Sequence, residues 1–193
     1  MEDFNAYLFF VLNRFAWQSP LGDSIIIFFA NYVAYILIIL FVLGLILLKL
    51  PKIERYALGV SAVAAAVLGR GIIVEGIRFF YHHPRPFVTL SGVHQLFFET
   101  GYSFPSGHAT LFFALSAVIY TKSKFAGLVF FFLSALMSIA RVMAGVHYPL
   151  DILGGAVLGT IVGVVCAMVV DTLFTKSGPK DPTSSNFIPS SNA

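Results

Sequence analysis

Long apolar stretches separated by short polar clusters set the pattern of this chain. Five segments, approximately 24–48, 55–80, 106–121, 125–145 and 150–174, are apolar enough to cross a bilayer as helices, which takes roughly 20 residues each. The second carries Arg70, Glu75 and Arg78, and the third is short. Ahead of them, Phe4, Tyr7, Leu8, Val11 and Phe15 recur at helical spacing, flanked by Asp3, Asn13, Arg14 and Gln18. This predicts an amphipathic helix over 3–17 lying at the membrane interface, with a short sixth span as the competing reading. The segment 81–105, with Pro84, Pro86 and many aromatics, is expected to fold back onto the interface. Residues 175–193, rich in Ser, Pro and Asn, read as a disordered tail behind a single membrane-embedded domain of residues 1–174. The expected fold is all-α: a polytopic bundle of five transmembrane helices plus an N-terminal amphipathic (or sixth) helix.

Two rows of small residues predict where helices meet closely. Gly155, Gly159 and Gly163 are spaced by four on the last span, and Ser61, Ala65 and Gly69 are spaced alike on the second.

Composition agrees with the pattern. Of 193 residues 58% are hydrophobic and 11% charged, with mean hydropathy +0.88, where a soluble domain carries about a quarter charged residues. No basic stripe interleaved with polar surface points to nucleic acid. Cys166 sits alone in an apolar run, so it has no intrachain disulfide partner and reads as packing. Glu2 and Asp3 stand where a signal peptide would be basic.

Charge placement orients the bundle. One face holds Lys49, Lys52, Arg55, Lys122, Lys124, Lys176 and Lys180, and the other Arg14, Arg78, Arg85 and Arg141. The first is therefore expected to be cytoplasmic. Threading the spans brings three polar clusters, 78–86 (RFFYHHPRP), 105–108 (PSGH) and 141–151 (RVMAGVHYPLD), to the other face.

These clusters carry the candidate chemistry. Ser106 is a good N-cap for the third helix, whose first turn holds Gly107 and His108 and forms an anion site through free N–H groups and the helix dipole. His147 precedes Pro149, a favoured first helical residue, and Asp151 in that first turn can reach back to the imidazole. A carboxylate on one ring nitrogen fixes the tautomer and raises the basicity of the other, as a nucleophilic or basic histidine requires. Arg78, Arg85 and Arg141 can bind phosphate oxygens bidentately without losing charge. Each feature has a plainer reading: a capped helix with an incidental histidine, a His–Asp pair that only caps a helix, a snorkelling arginine. None explains three arginines meeting on one face. His82, His83, His94 and Glu99 read as solvated groups, and Arg70 and Glu75 as structural charges.

The order Arg-x6-Arg-Pro (78–86), Pro-Ser-Gly-His (105–108) and Arg-x5-His-x3-Asp (141–151) resembles the tripartite pattern of the type 2 phosphatidic acid phosphatase superfamily, over about residues 70–160. Arg78 stands where the family often has lysine, and Ala140 where it usually has serine. The resemblance implies a metal-independent lipid phosphatase, with no cofactor. His147 would be the nucleophile that forms a phosphohistidine, Asp151 would orient it, and His108 would protonate the leaving oxygen. Arg78, Arg85, Ser106, Gly107 and Arg141 would bind the phosphate. Together with the outward site, HPRPFV and YSFPSGHA are similar to segments of small bacterial undecaprenyl-diphosphatases. The expectation is a multi-pass protein of the bacterial cytoplasmic membrane with its site on the extracytoplasmic side and its C-terminus inside. Its substrate ranks as undecaprenyl diphosphate first, then phosphatidylglycerophosphate or phosphatidate, then lipid A. A small anion channel or transporter is the non-enzymatic alternative.

Overall fold

Capping residues at the polar clusters begin most of the long helices. In the computed structural model, which describes residues 2–47 and 50–176, α1 is Glu2–Asn13. Ser19 then accepts a hydrogen bond from the Gly22 amide at 3.1 Å, and Pro20 supplies a pre-set φ. From there α2 runs as Pro20–Leu47, with a π-helical turn at Phe28–Tyr32. Helix α3, Lys52–Phe80, contains a second π-helical stretch, Ala66–Ile73, and ends where Tyr81 turns extended. A single turn, α4 (Pro86–Thr89), interrupts the loop that follows. Ser106 caps α5 (Gly107–Lys122), and Ser123 both ends α5 and caps α6 (Lys124–Met143), so one extended residue reverses the chain. Helix α7 spans Pro149–Lys176.

Among the described residues, α2, α3, α6 and α7 are long and apolar enough to cross a membrane. Their outward surfaces carry Ile39, Leu40, Phe132, Val157 and Ile161, as expected where lipid is the solvent and helices satisfy their own backbone. Helix α5, with 16 residues, is about 24 Å long at helical rise. It is the inner helix, with Phe112, Ala114, Val118 and Ile119 buried against α3, α6 and α7.

The small-residue rows explain this packing. A Cβ on Gly155 would stand 2.6 Å from the Ser106 carbonyl oxygen, and one on Gly159 or Gly163 would overlap the backbone of Thr110 or Ala114. Helices α5 and α7 therefore meet backbone to backbone. On α3, Ser61 and Ala65 are buried, and Gly69 faces Thr110 and Val162.

Helix α1 is shorter than the expected 3–17 and ends at Asn13. Its 12 residues span about 18 Å, well short of a hydrocarbon core. Phe4, Tyr7 and Phe15 point outward, and the face turned to the protein carries Asn5, Phe9 and Asn13 instead. Asn13 donates to the carbonyls of His94 (2.7 Å) and Met143 (2.8 Å) and accepts from the His94 amide (2.8 Å). Asn5 accepts from the Leu150 amide at 3.1 Å. An apolar stripe can face lipid as readily as a core, so the pattern by itself did not say which side packs on the protein. Helix α7 continues through Lys176, two residues past the expected start of the tail, and the rest of that segment lies outside the described residues.

Candidate active site

The ends of α3, α5, α6 and α7 meet at one pole of the bundle. The opposite pole carries the ion pair of Lys122 with Asp171 at 2.9 Å. Two hydrogen bonds fix the polar end. The Ser106 amide donates to the Asp151 carbonyl at 3.0 Å, which ties the start of α5 to the start of α7, and the Ser103 amide donates to the His83 carbonyl at 2.8 Å.

His147 lies in the short connection between α6 and α7, beyond Gly145, whose φ of +83° suits glycine. A side chain at Gly145 would also press on the His94 carbonyl oxygen, 2.8 Å from its Cβ. The imidazole is buried. Its Nδ1 lies 3.3 Å from Asp151 Oδ2 and 3.3 Å from Ser103 Oγ, and its Nε2 lies 3.4 Å from Arg85 Nη1. Asp151 Oδ2 also accepts from the Tyr148 amide at 2.7 Å and from Ser103 Oγ. These donors hold the carboxylate in place, and the consistent tautomer has Nδ1–H donating to Asp151 and a lone pair on Nε2. Burial pushes the His147 pKa down to about 4, against the hydrogen bond to Asp151. The ring is thus neutral at pH 7, as a nucleophile must be.

Arg85 stands beside that lone pair, and Arg141 and Arg78 lie at the same pole. Arg85 donates from Nε to the Gly101 carbonyl, from Nη2 to Thr100 and from Nη1 to Val146, at 3.0, 3.0 and 2.8 Å. Arg141 donates from Nη1 to the Ala30 carbonyl of α2 at 3.1 Å. Arg78 donates from Nη2 to the Pro105 carbonyl at 3.0 Å. The buried Nε groups of Arg78 and Arg141 have no hydrogen-bond partner among the described residues. Buried donors of this kind are costly to leave unmade, and an oxyanion would satisfy them.

Ser106, Gly107 and His108 occupy the first turn of α5. Ser106 is fully buried, and its Oγ accepts from the Ala109 amide at 3.4 Å. His108 lines a cavity of about 210 Å³ between α2 and α5, together with Asn31, Tyr35, Ile38 and Phe112. All eight residues singled out from the sequence thus lie at this pole. The structure adds a detail at Gly107: the side chain of Arg70 lies across it, and a Cβ there would overlap the guanidinium. The glycine makes room for Arg70 as well as for any ligand. Arg70 finds no deeply buried partner. It pairs with the half-exposed Glu75, which also stands 3.5 Å from Arg78 Nη1.

Two residues at the centre escaped the sequence reading. Ser103 bridges Asp151 and His147, and a lone serine in a loop gives no periodic or charge signal. Glu99, read as a solvated group, pairs with Arg141 and lies 3.4 Å from Arg85 Nη1. Burial raises its pKa, but Arg141 and then Arg85 outweigh that and hold it below the usual carboxylate range. An acidic residue in a cluster of surplus arginines was the available clue. Among the described residues, no three His, Cys, Asp or Glu side chains group as a metal site would need.

Known proteins resemble this chain in sequence and fold. The PAP2 superfamily matches residues 59–174. The chain is 30% identical over 172 residues to the undecaprenyl-diphosphatase BcrC of Bacillus subtilis, covering 88% of this chain and 86% of that one. It is 30% identical over 161 residues to the bacitracin transport permease protein BcrC of Bacillus licheniformis, covering 83% and 77%. Among solved structures, LpxE of Aquifex aeolicus matches with a TM-score of 0.66 at 28% identity, over 88% of this chain and 95% of that one. With the three-part motif, the helical bundle and these relatives in agreement, the chain belongs to the PAP2 superfamily and is a membrane-embedded lipid phosphatase of that family.

Proposed function

We propose that this enzyme hydrolyses undecaprenyl diphosphate to undecaprenyl phosphate at the outer leaflet of a bacterial cytoplasmic membrane, through a phosphohistidine and without a metal. The observation that carries the mechanism is the setting of His147: Asp151 on Nδ1, and Arg85 beside a free Nε2. In this reading, Arg78, Arg85 and Arg141, with the α5 N-terminus at Ser106 and Gly107, hold the terminal phosphoryl group and offset the charge that spreads over its oxygens in the transition state. His147 Nε2 attacks phosphorus as the bond to the bridging oxygen breaks, and His108 gives that oxygen a proton. Water then attacks the phosphohistidine, passes its proton to His108 and releases inorganic phosphate. The arginines supply the positive charge a metal pair would otherwise bring. The slot from lipid-facing Tyr35 and Ile38 to His108 supports sideways entry, with the tail in lipid. Five crossings, α5 included, put the C-terminus inside. The substrate assignment draws on the undecaprenyl-diphosphatase relative. Phosphatidylglycerophosphate, phosphatidate and lipid A are the other candidates.

Purified protein in detergent with EDTA should release phosphate from undecaprenyl diphosphate faster than from the other three lipids. A strict metal requirement would overturn the mechanism, and a faster rate on another lipid would reassign the substrate. His147→Ala should lose at least about a thousandfold in turnover together with any acid-labile phosphoenzyme. Normal turnover in that variant would remove His147 as nucleophile.

A further inference from the structure

Glu99 has no part in the steps above, yet it occupies their centre. It enters from the loop between α4 and α5, and its Oε2 is shared by Arg141 Nη2 and Arg85 Nη1. The two arginine side chains are 1% and 3% exposed, whereas that of Glu99 is 25% exposed. The carboxylate is therefore the outermost member of the group. Behind it, backbone carbonyls hold the arginines: Val146, Gly101 and Thr100 for Arg85, and Ala30 for Arg141. These anchors stay fixed if the carboxylate leaves.

The same Arg85 nitrogen that lies 3.4 Å from Glu99 Oε2 lies 3.4 Å from His147 Nε2. A phosphoryl group poised for attack by Nε2 and gripped by Arg85 Nη1 takes a donor that Glu99 uses, and it comes to lie beside the carboxylate on Arg141. Carboxylate and phosphate are both oxyanions, and two like charges held a few ångströms apart in a partly desolvated pocket repel strongly. They therefore exclude one another.

We propose that Glu99 is an internal competitor for the phosphate site: its carboxylate holds Arg85 and Arg141 in the resting enzyme, turns outward when a phosphoryl group binds, and returns as inorganic phosphate leaves. The inference rests on the reading of the arginine cluster as a phosphate site. It gives Glu99 a specific use in turnover. A pocket with several buried arginines would bind the product phosphate tightly, and a tethered anion that reclaims two of them lowers that affinity. The free pocket is then only a fraction of the population, and apparent phosphate affinity falls by that fraction. A carboxylate that stayed on the arginines and merely neutralised them would also weaken phosphate binding through its charge, so the place of Glu99 in the anion complex separates the two roles.

The test compares the wild-type full-length chain with Glu99→Gln and Glu99→Asp in detergent at constant ionic strength. Inhibition of lipid hydrolysis by inorganic phosphate and the thermal-unfolding midpoint are read for each. The expected result is a phosphate inhibition constant about tenfold or more lower in Glu99→Gln, with Glu99→Asp near wild type. An unchanged or higher constant in a folded Glu99→Gln overturns the proposal. A measurement on the wild type needs no variant: in crystals soaked with tungstate, the anion should contact Arg85 and Arg141 with Glu99 turned away. Tungstate bound while Glu99 keeps both ion pairs also overturns it. If neither phosphate nor tungstate binds these arginines in the wild type, the phosphate-site reading itself fails, and the competitor role fails with it.

Discussion

Ser103 shows how much of this site depends on single side chains. Its hydroxyl donates to Asp151 Oδ2 and lies 3.3 Å from His147 Nδ1. Removing it leaves that oxygen held by the Tyr148 amide and the His147 Nδ1–H and loosens the geometry that keeps Nε2 unprotonated. A hydrogen bond to a charged group contributes about 1.5–3 kcal/mol. Ser103→Ala should therefore lower the single-turnover rate by about ten- to a hundredfold with little change in KM, because Ser103 does not touch the arginines. A raised KM at unchanged rate would instead make Ser103 a substrate contact. At this scale the sequence was informative where residue type carries the chemistry. His147, Asp151, His108 and the three arginines stood out because ionisable groups are rare in so apolar a chain. Ser103 and Glu99 did not, because their roles depend on a loop whose path no local pattern encodes.

At the scale of elements, the contact between α5 and α7 positions the site. Ser106 and Asp151 sit at the adjoining starts of these helices, linked by a backbone hydrogen bond of 3.0 Å. Gly155, Gly159 and Gly163 let the two backbones touch. Gly159→Leu would force the backbones apart at Thr110, with overpacking expected to cost about 1–3 kcal/mol or more. A clear fall in the thermal midpoint in detergent should follow, with activity lost in step. Gly76→Ala on α3, where no atom lies within 4 Å of the added carbon, should leave the midpoint unchanged or slightly higher. Equal effects of the two substitutions would mean that the glycine row does not determine this interface. The starts of α5 and α7 were legible because Ser106 and Pro149 are strong starting signals. The inner position of α5 and the packed face of α1 were not, because a hydrophobic pattern does not distinguish protein neighbours from lipid.

For the whole molecule, the open question is which way it faces. The charge asymmetry predicts a site on the outside, and exposed positions at the two poles give a direct test. Cysteine at Ser91, in the exposed loop beside the site, should react with an impermeant thiol reagent on intact cells. Cysteine at Lys124, exposed at the start of α6, should react only after lysis. Native Cys166 is buried and should stay silent. The reverse pattern would place the site inside and remove the outer-leaflet substrate.

Composition and residue order alone determined the apolar spans, the all-helical membrane fold and the chemical identity of the groups proposed to bind phosphate. Those follow from the cost of exposing backbone or charge to hydrocarbon, which acts on every short segment independently. Tertiary structure alone decided that Ser103 serves the His147–Asp151 pair, that Arg70 lies across Gly107, and that Glu99 rests on the two arginines a phosphate would need. These contacts join residues far apart in the chain, and their geometry is set by helix packing and loop path rather than by any local preference.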